Sequence, residues 1–150
     1  MDEWTMKPIG YIRCPYTNTQ QIPKGLGATH TMEGTLELLP EFETGLRDIE
    51  GFSHLMILWI FHQSEKYELI GGTPTDGREH GVFATRSPQR PNFIGLTTVE
   101  LVKREGCVLH LRGIDMLDGT PVLDIKPYLS SIPMDQLRRG WLEEAEMRKK

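Results

Sequence analysis

The chain has 150 residues, 38% of them hydrophobic and 25% charged, with a formal net charge of −4. That length suits one domain burying roughly 70% of its unfolded surface, and the acidic balance excludes a general polyanion binder while leaving room for a local basic surface. No apolar run approaches the ~20 residues that cross a bilayer, and the opening MDEWTMK lacks the basic and apolar regions of a signal peptide, so the chain reads as cytoplasmic.

Lys7 to Arg13 (KPIGYIR) alternates as a strand does and is stopped by Pro15. Thr19 to Thr31, punctuated by Pro23, Gly25 and Gly27, reads as a long loop. Glu33 to Leu39 alternates again and is a second strand, PEFETGLRDIEGF contains a helical turn, and His54 to His62 (HLMILWIFH) is apolar enough for a buried strand. Ser64 to His80, with Gly71, Gly72, Pro74 and Gly77, reads as a second long loop, a length that tends to be functional or disordered. Gly81 to Thr85 and Ile94 to Lys103 are expected strands, and the turn Lys103-Arg104-Glu105-Gly106 leads into Cys107 to Arg112 as a hairpin. LDGTP at 117–121 is a turn before a strand from Val122 to Ile125.

From Met134 the period becomes helical to about 148: Pro133 suits a first turn, and Met134, Leu137, Trp141 and Ala145 share one face. About seven short strands with one helix predict a mainly β, single-domain small β-barrel over 1–150. There are no alternating βαβ units, no GxGxxG and no P-loop, so a Rossmann fold is excluded.

Cys14 and Cys107 lie far apart and read as buried thiols rather than a disulfide. The histidines at 30, 54, 62, 80 and 110 show no HxH, HxxxH or HExxH grouping, so no metal is expected. GVFATRSPQRPNFIGL, residues 81–96, sets Arg86 and Arg90 among Pro88 and Pro91. A fixed guanidinium there grips a carboxylate or phosphate in two-point contact at low ordering cost, or braces a neighbouring carboxylate. Residues 115–128 gather Asp115, Asp118, Asp124, Lys126 and Tyr128. Strand alternation turns Val122, Asp124 and Lys126 one way and Leu123 and Ile125 the other, so Asp124 and Lys126 either pair or line a pocket with Tyr128. His62 and Gln63 end the apolar strand at a sheet rim, and Phe83 is either core or a stacking platform.

Taken together, IGYIRCPY, EGFSHLMILWIFHQ, GVFATRSPQRPNFIGL and DMLDGTPVLDIKPYL resemble, in order from about Ile9 to Leu129, the TrmO (TsaA-like) family of tRNA methyltransferases. The resemblance implies a small β-barrel enzyme, paired as a homodimer, that uses S-adenosyl-L-methionine. Its implied reaction methylates N6 of threonylcarbamoyladenosine at position 37, in the anticodon loop of threonine tRNA. It places cofactor contacts on Leu26, Gly27 and Ala28 in the first loop, on His62, Gln63, Arg86 and Leu96, and on Arg112, Gly113, Ile114 and Asp115. Phe83 and Asp115 would face the sulfonium, an aromatic ring and a carboxylate being suited to a cation. Arg90 or Lys126 would hold the threonyl carboxylate. Asp124, Lys126 and Tyr128 are the catalytic candidates, with Asp124 or Tyr128 taking the N6 proton.

Two departures stand out: PNFIG replaces the family's PNPIG, so Phe93 is expected to loosen that turn, and Ser130 replaces a proline. The C-terminal helix, about 134–148, lies outside the likeness. Lys24, Arg47, Arg78, Arg86, Arg90 and Lys126, with Arg138, Arg139 and Arg148 to Lys150 on the tail, are expected to form one basic face apart from Glu33, Glu37, Glu41 and Glu43. Two other readings stay open: a methyltransferase on another RNA or small molecule, and a non-catalytic binder of S-adenosylmethionine or a nucleotide.

Overall fold

Alternating buried and exposed side chains let a sheet face a core on one side and water on the other. The computed structural model, which describes residues 2–25 and 28–149, bends such a sheet closed. The strands are β1 (Gly10–Arg13), β2 (Glu33–Leu38), β3 (His54–Ile60), β4 (Ile70–Gly72), β5 (Glu79–Gly81), β6 (Ile94–Glu105), β7 (Val108–Arg112) and β8 (Pro121–Pro127), followed by one α-helix, α1 (Trp141–Lys149). Six of them close an antiparallel barrel in the order β1-β2-β7-β6-β3-β8, and β4 and β5 form a separate two-stranded sheet. The fully buried residues Ile12, Leu36, Leu55, Ile57, Val99, Leu109, Leu111, Ile114, Met116 and Val122 fill the interior. Each such side chain contributes about 1.5–3 kcal/mol of burial.

β3 fixes the axis, pairing with β6 from His54↔Glu100 to Ile60↔Ile94 and with β8 from Leu55↔Pro127 to Trp59↔Val122. The barrel therefore has one rim where Ile60 meets Ile94, extended by the Phe61 N–H donating to the Phe93 carbonyl at 2.8 Å. The opposite end lies at His54, whose carbonyl accepts from the Tyr128 amide at 3.1 Å. Gly95 is what lets the Trp59 indole lie flat across β6: a Cβ there would fall 2.5 Å from Trp59 Cζ2.

Several expectations need correction. The barrel has six strands rather than about seven, and the loop expected over 64–80 contains the β4–β5 hairpin. Its turn is closed by Asp76, which accepts from the Thr73 hydroxyl and the Arg78 amide at 2.9 Å each, chemistry that spacing of glycines and prolines does not reveal. The strand expected over 81–85 ends at Gly81. Val82–Ala84 is a 3-10 turn, closed by the Thr85 amide and hydroxyl on the Val82 carbonyl. The helix expected from Met134 begins only at Trp141. Met134–Gln136 is a 3-10 turn, Gly140 takes φ +57°, and Met134 is 80% exposed while Ala145 is buried. Finally, β8 carries a bulge: Asp124 pairs with Leu58 and Val122 with Trp59, leaving Leu123 unopposed. Val122 and Ile125 consequently both pack on the core, against the strict alternation expected over 122–126.

Cys14 and Cys107 are free, half-buried thiols. No described helix is long and apolar enough to cross a membrane.

Candidate functional site

β6 alternates with Gly95, Thr97 and Val99 inward and Ile94, Leu96 and Thr98 outward. Thr97, paired with Ile57 midway along the β3–β6 ladder, thus enters the barrel interior. The Trp59 indole, which can only donate, bonds Thr97 Oγ1 at 2.9 Å, and the Thr97 hydroxyl is left to donate to Asp115 Oδ1 at 2.6 Å. Trp59 is itself held edge-on to Phe61, ring centroids 4.3 Å apart.

Asp115 reaches this point because the chain turns sharply after β7. Gly113 adopts φ +103°, and the amides of Gly113 and Ile114 both donate to the Met32 carbonyl, at 2.9 and 3.1 Å. Ile114 and Met116 drop into the core on either side, and Asp115 is left partly buried between them. Burial pushes its carboxyl pKa up, opposed by the Thr97 hydroxyl and by the nearby charges of His30 and Arg86. The chain at His30 passes over Gly113, with the His30 carbonyl 3.6 Å from where a Gly113 Cβ would sit. His30 Nδ1 is buried with no hydrogen-bond partner among the described residues, a state that native proteins seldom leave unfilled.

The arginine loop crowns the same rim. Arg90 Nη1 donates to the Thr85 and Ser87 carbonyls at 3.0 and 3.1 Å, and Gln89 accepts the Glu68 amide at 3.2 Å through its carbonyl, so the loop is internally braced. Arg86 is exposed and, among the described residues, makes no salt bridge. The turn at Phe93 is not loose. Its amide donates to the Arg90 carbonyl at 3.2 Å, and its φ of +48° is a left-handed conformation that proline cannot adopt. His62 and Gln63 follow β3 at this rim, both exposed.

The structure thus brings Arg86, Asp115, Gly113, Ile114, Ala28, His62 and Gln63 to one end and leaves other candidates elsewhere. Leu26 and Gly27 lie outside the described residues. Leu96 and Phe83 face outward, Phe83 at 77% exposure, so neither lies in the core. Arg112 lies on the outer face, bonded across strands to Glu33 at 2.8 Å, which raises its pKa. Asp124 and Lys126 pair at 3.3 Å on the barrel flank. Asp124, with Arg47, Asp48 and Glu41, rims a groove of about 490 Å³ floored by Ile9, Phe42, Ile49 and Phe52. Tyr128 lies beside His54, six residues along β3 from Ile60, or roughly 20 Å at the usual strand rise. The single basic face is therefore not formed: Arg47 and Lys126 stand among carboxylates on the flank, and Arg139 pairs with Glu146.

Thr97, Trp59 and His30 were not among the sequence candidates. The inward register of β6 was a usable signal for Thr97, whereas His30, alone in a loop, offered none. Among the described residues no three His, Cys, Asp or Glu side chains gather as metal ligands. A partly buried carboxylate, with an imidazole nitrogen and a guanidinium that lack partners among the described residues, suits an organic ligand carrying both a cationic centre and a carboxylate.

The family described as tRNA-methyltransferase O N-terminal domain matches residues 11–134. A probable S-adenosyl-L-methionine-binding protein of Archaeoglobus fulgidus is 48% identical over 97% of this chain, which spans 40% of that relative's length. The tRNA (adenine(37)-N6)-methyltransferase of Escherichia coli is 39% identical over 86% of this chain and 59% of its own. The crystal structure of TrmO from Pseudomonas aeruginosa superposes with a TM-score of 0.75 at 40% identity, covering 93% of this chain and 62% of that one. With this match over most of its length and this barrel, the chain belongs to the tRNA-methyltransferase O N-terminal domain family.

Proposed function

We propose that this chain is an S-adenosyl-L-methionine-dependent methyltransferase acting on N6 of adenosine 37 in tRNA, with the donor held at the Ile60–Ile94 rim. The observation that carries the reading is the Asp115 carboxylate fixed by the Trp59–Thr97 relay, with Arg86 and His30 near enough for their charge to favour its ionised form. The names of the archaeal relative and of the Escherichia coli enzyme support it. The residues fit this donor: Arg86 suits its carboxylate, Asp115 its cationic end, and His30 Nδ1 a polar group that enters the buried space. When bound, the donor supplies an electrophilic methyl on sulfonium sulfur.

The chain's own work is placement. Methyl transfer needs the nucleophile in line at roughly 3–3.5 Å, so rigidity of the rim is the main lever. Thr97 fixes the Asp115 carboxylate, and Gly113 turns the backbone that carries Ile114 and Asp115. The finer reading makes threonylcarbamoyladenosine of threonine tRNA the substrate, in the cytoplasm, within a homodimer. Arg90 keeps Nε and Nη2 for the threonyl carboxylate while Nη1 braces the loop. Asp124, Lys126 and Tyr128, remote from this rim in one copy, serve the rim of the second copy, where Asp124 or Tyr128 takes the N6 proton.

Incubation with labelled donor and bulk tRNA, then digestion to nucleosides, tests the proposal. Label in threonylcarbamoyladenosine supports it in full, and label in another nucleoside moves the substrate. Tight donor uptake with no transfer makes the chain a binding protein.

A further inference from the structure

Arg86 makes no salt bridge among the described residues, so the placement of its guanidinium depends on the backbone just before it, at 82–85. That backbone is tied from outside the family match, which ends at residue 134. Trp141, the first residue of α1, donates its indole N–H to the Ala84 carbonyl at 2.8 Å. Its ring stacks on His80, centroids 3.9 Å apart and planes 13° from parallel. His80 Nε2 in turn lies 2.9 Å from Asp76 Oδ2, and Arg148 Nη2 approaches the same oxygen at 3.8 Å. The Asp76 side chain is only 2% exposed. Trp141, Ala145 and Arg148 are spaced i, i+4, i+7, one helical face, and Ala145 is buried. The space left between hairpin and arginine loop, bordered by Glu68, His80, Val82, Thr85 and Gln89, is about 20 Å³, room for a single water.

We propose that α1 is a clamp that positions the arginine loop through the hairpin, with Trp141 as the positioning residue for Arg86. A helix of nine residues is not stable alone in water, so helix and loop order each other: docking of Trp141 fixes Ala84, and the hairpin platform of His80 on Asp76 fixes Trp141. The role in donor binding rests on the functional reading above; the clamp itself does not.

Tryptic cleavage after Arg86 in the full chain reads the clamp independently of activity, since Arg86 is exposed and precedes Ser87, whereas the Arg90–Pro91 bond resists the protease. We expect Trp141→Ala to raise that cleavage rate ~10-fold and the donor Kd ~10-fold. Trp141→Phe, which keeps a stacking ring but loses the N–H, falls between. In a double variant with Arg86→Ala, donor affinity drops no further than in Arg86→Ala alone. Cleavage at the wild-type rate in both Trp141 variants overturns the clamp, as do affinity losses that simply multiply. Should Trp141→Ala fail to fold, Trp141→Phe decides by the same cleavage measure. If the intact chain takes up no donor, the functional reading falls and the cleavage arm alone judges the clamp.

Discussion

Two regions of the barrel carry acidic side chains next to basic ones, and they differ in kind. At the Ile60–Ile94 rim, Asp115 is partly buried, fixed by Thr97, and influenced by His30 and Arg86 without a salt bridge to either. On the flank, Asp124 is paired with Lys126 at 3.3 Å, and both side chains are about half exposed. The rim holds a partly buried carboxylate without a salt bridge, at a cost in desolvation, beside an exposed guanidinium, while the flank resembles ordinary surface pairing of small energetic consequence. Charge content alone makes the two stretches look equivalent; burial and partnering separate them.

The sharpest way to break the contrast is to damage the rim's scaffold without touching its charges. Gly95→Ala drives a methyl into the Trp59 indole and costs about 3 kcal/mol of stability by denaturant unfolding. A cost near zero would show that Trp59 does not hold the rim.

Next in size is Asp115→Asn, which keeps an acceptor for Thr97 but removes the charge; donor affinity falls roughly 10- to 100-fold in a calorimetric titration. The sign on stability is opposite. Because burial raises the Asp115 pKa, its favourable contribution is complete below the unfolded value near ~3.9 and is lost as pH rises through the raised folded value. The Asn variant therefore melts above the wild type at neutral pH, and the gap closes by about pH 4. Asp76 behaves in reverse. Burial alone would raise its pKa, but the Arg78 amide, His80 and Thr73 hold it down to about 2, so its contribution is complete above ~3.9 and is lost as pH falls through about 2.

Smaller still, Phe93→Gly relieves a left-handed backbone and gains about 1 kcal/mol, whereas Phe93→Pro, barred from that φ, destabilises. Equal melting of both variants would mean the turn is not strained. Smallest of all, Lys126→Ala changes stability by less than ~1 kcal/mol, since it removes one half-exposed pair.

The sequence carried the barrel strands plainly where alternation or an apolar run was long. β2, β3, β6, β7 and β8 all fall within two residues of their expected starts, and the start of β1 was offset by Pro8 and Ile9, which flank the ladder. Short-range chemistry hid the rest. An aspartate closing the 73–78 turn made a hairpin out of a presumed loop, the bulge at Leu123 broke the inside–outside count, and Gly140 cut the tail helix. Motif likeness nominated Arg86, Gly113 and Asp115, which the fold brings to one end of the barrel. His30 was out of reach because its significance lies in an atom without a partner among the described residues, a property of packing rather than of spacing.

The most direct test titrates S-adenosyl-L-methionine into the full chain and two single variants, Arg86→Ala and Lys126→Ala. The rim account predicts a Kd raised at least ~10-fold by Arg86→Ala and within about twofold of wild type for Lys126→Ala. The reverse pattern, with affinity lost at Lys126 and kept at Arg86, would move the donor to the flank groove and contradict the account.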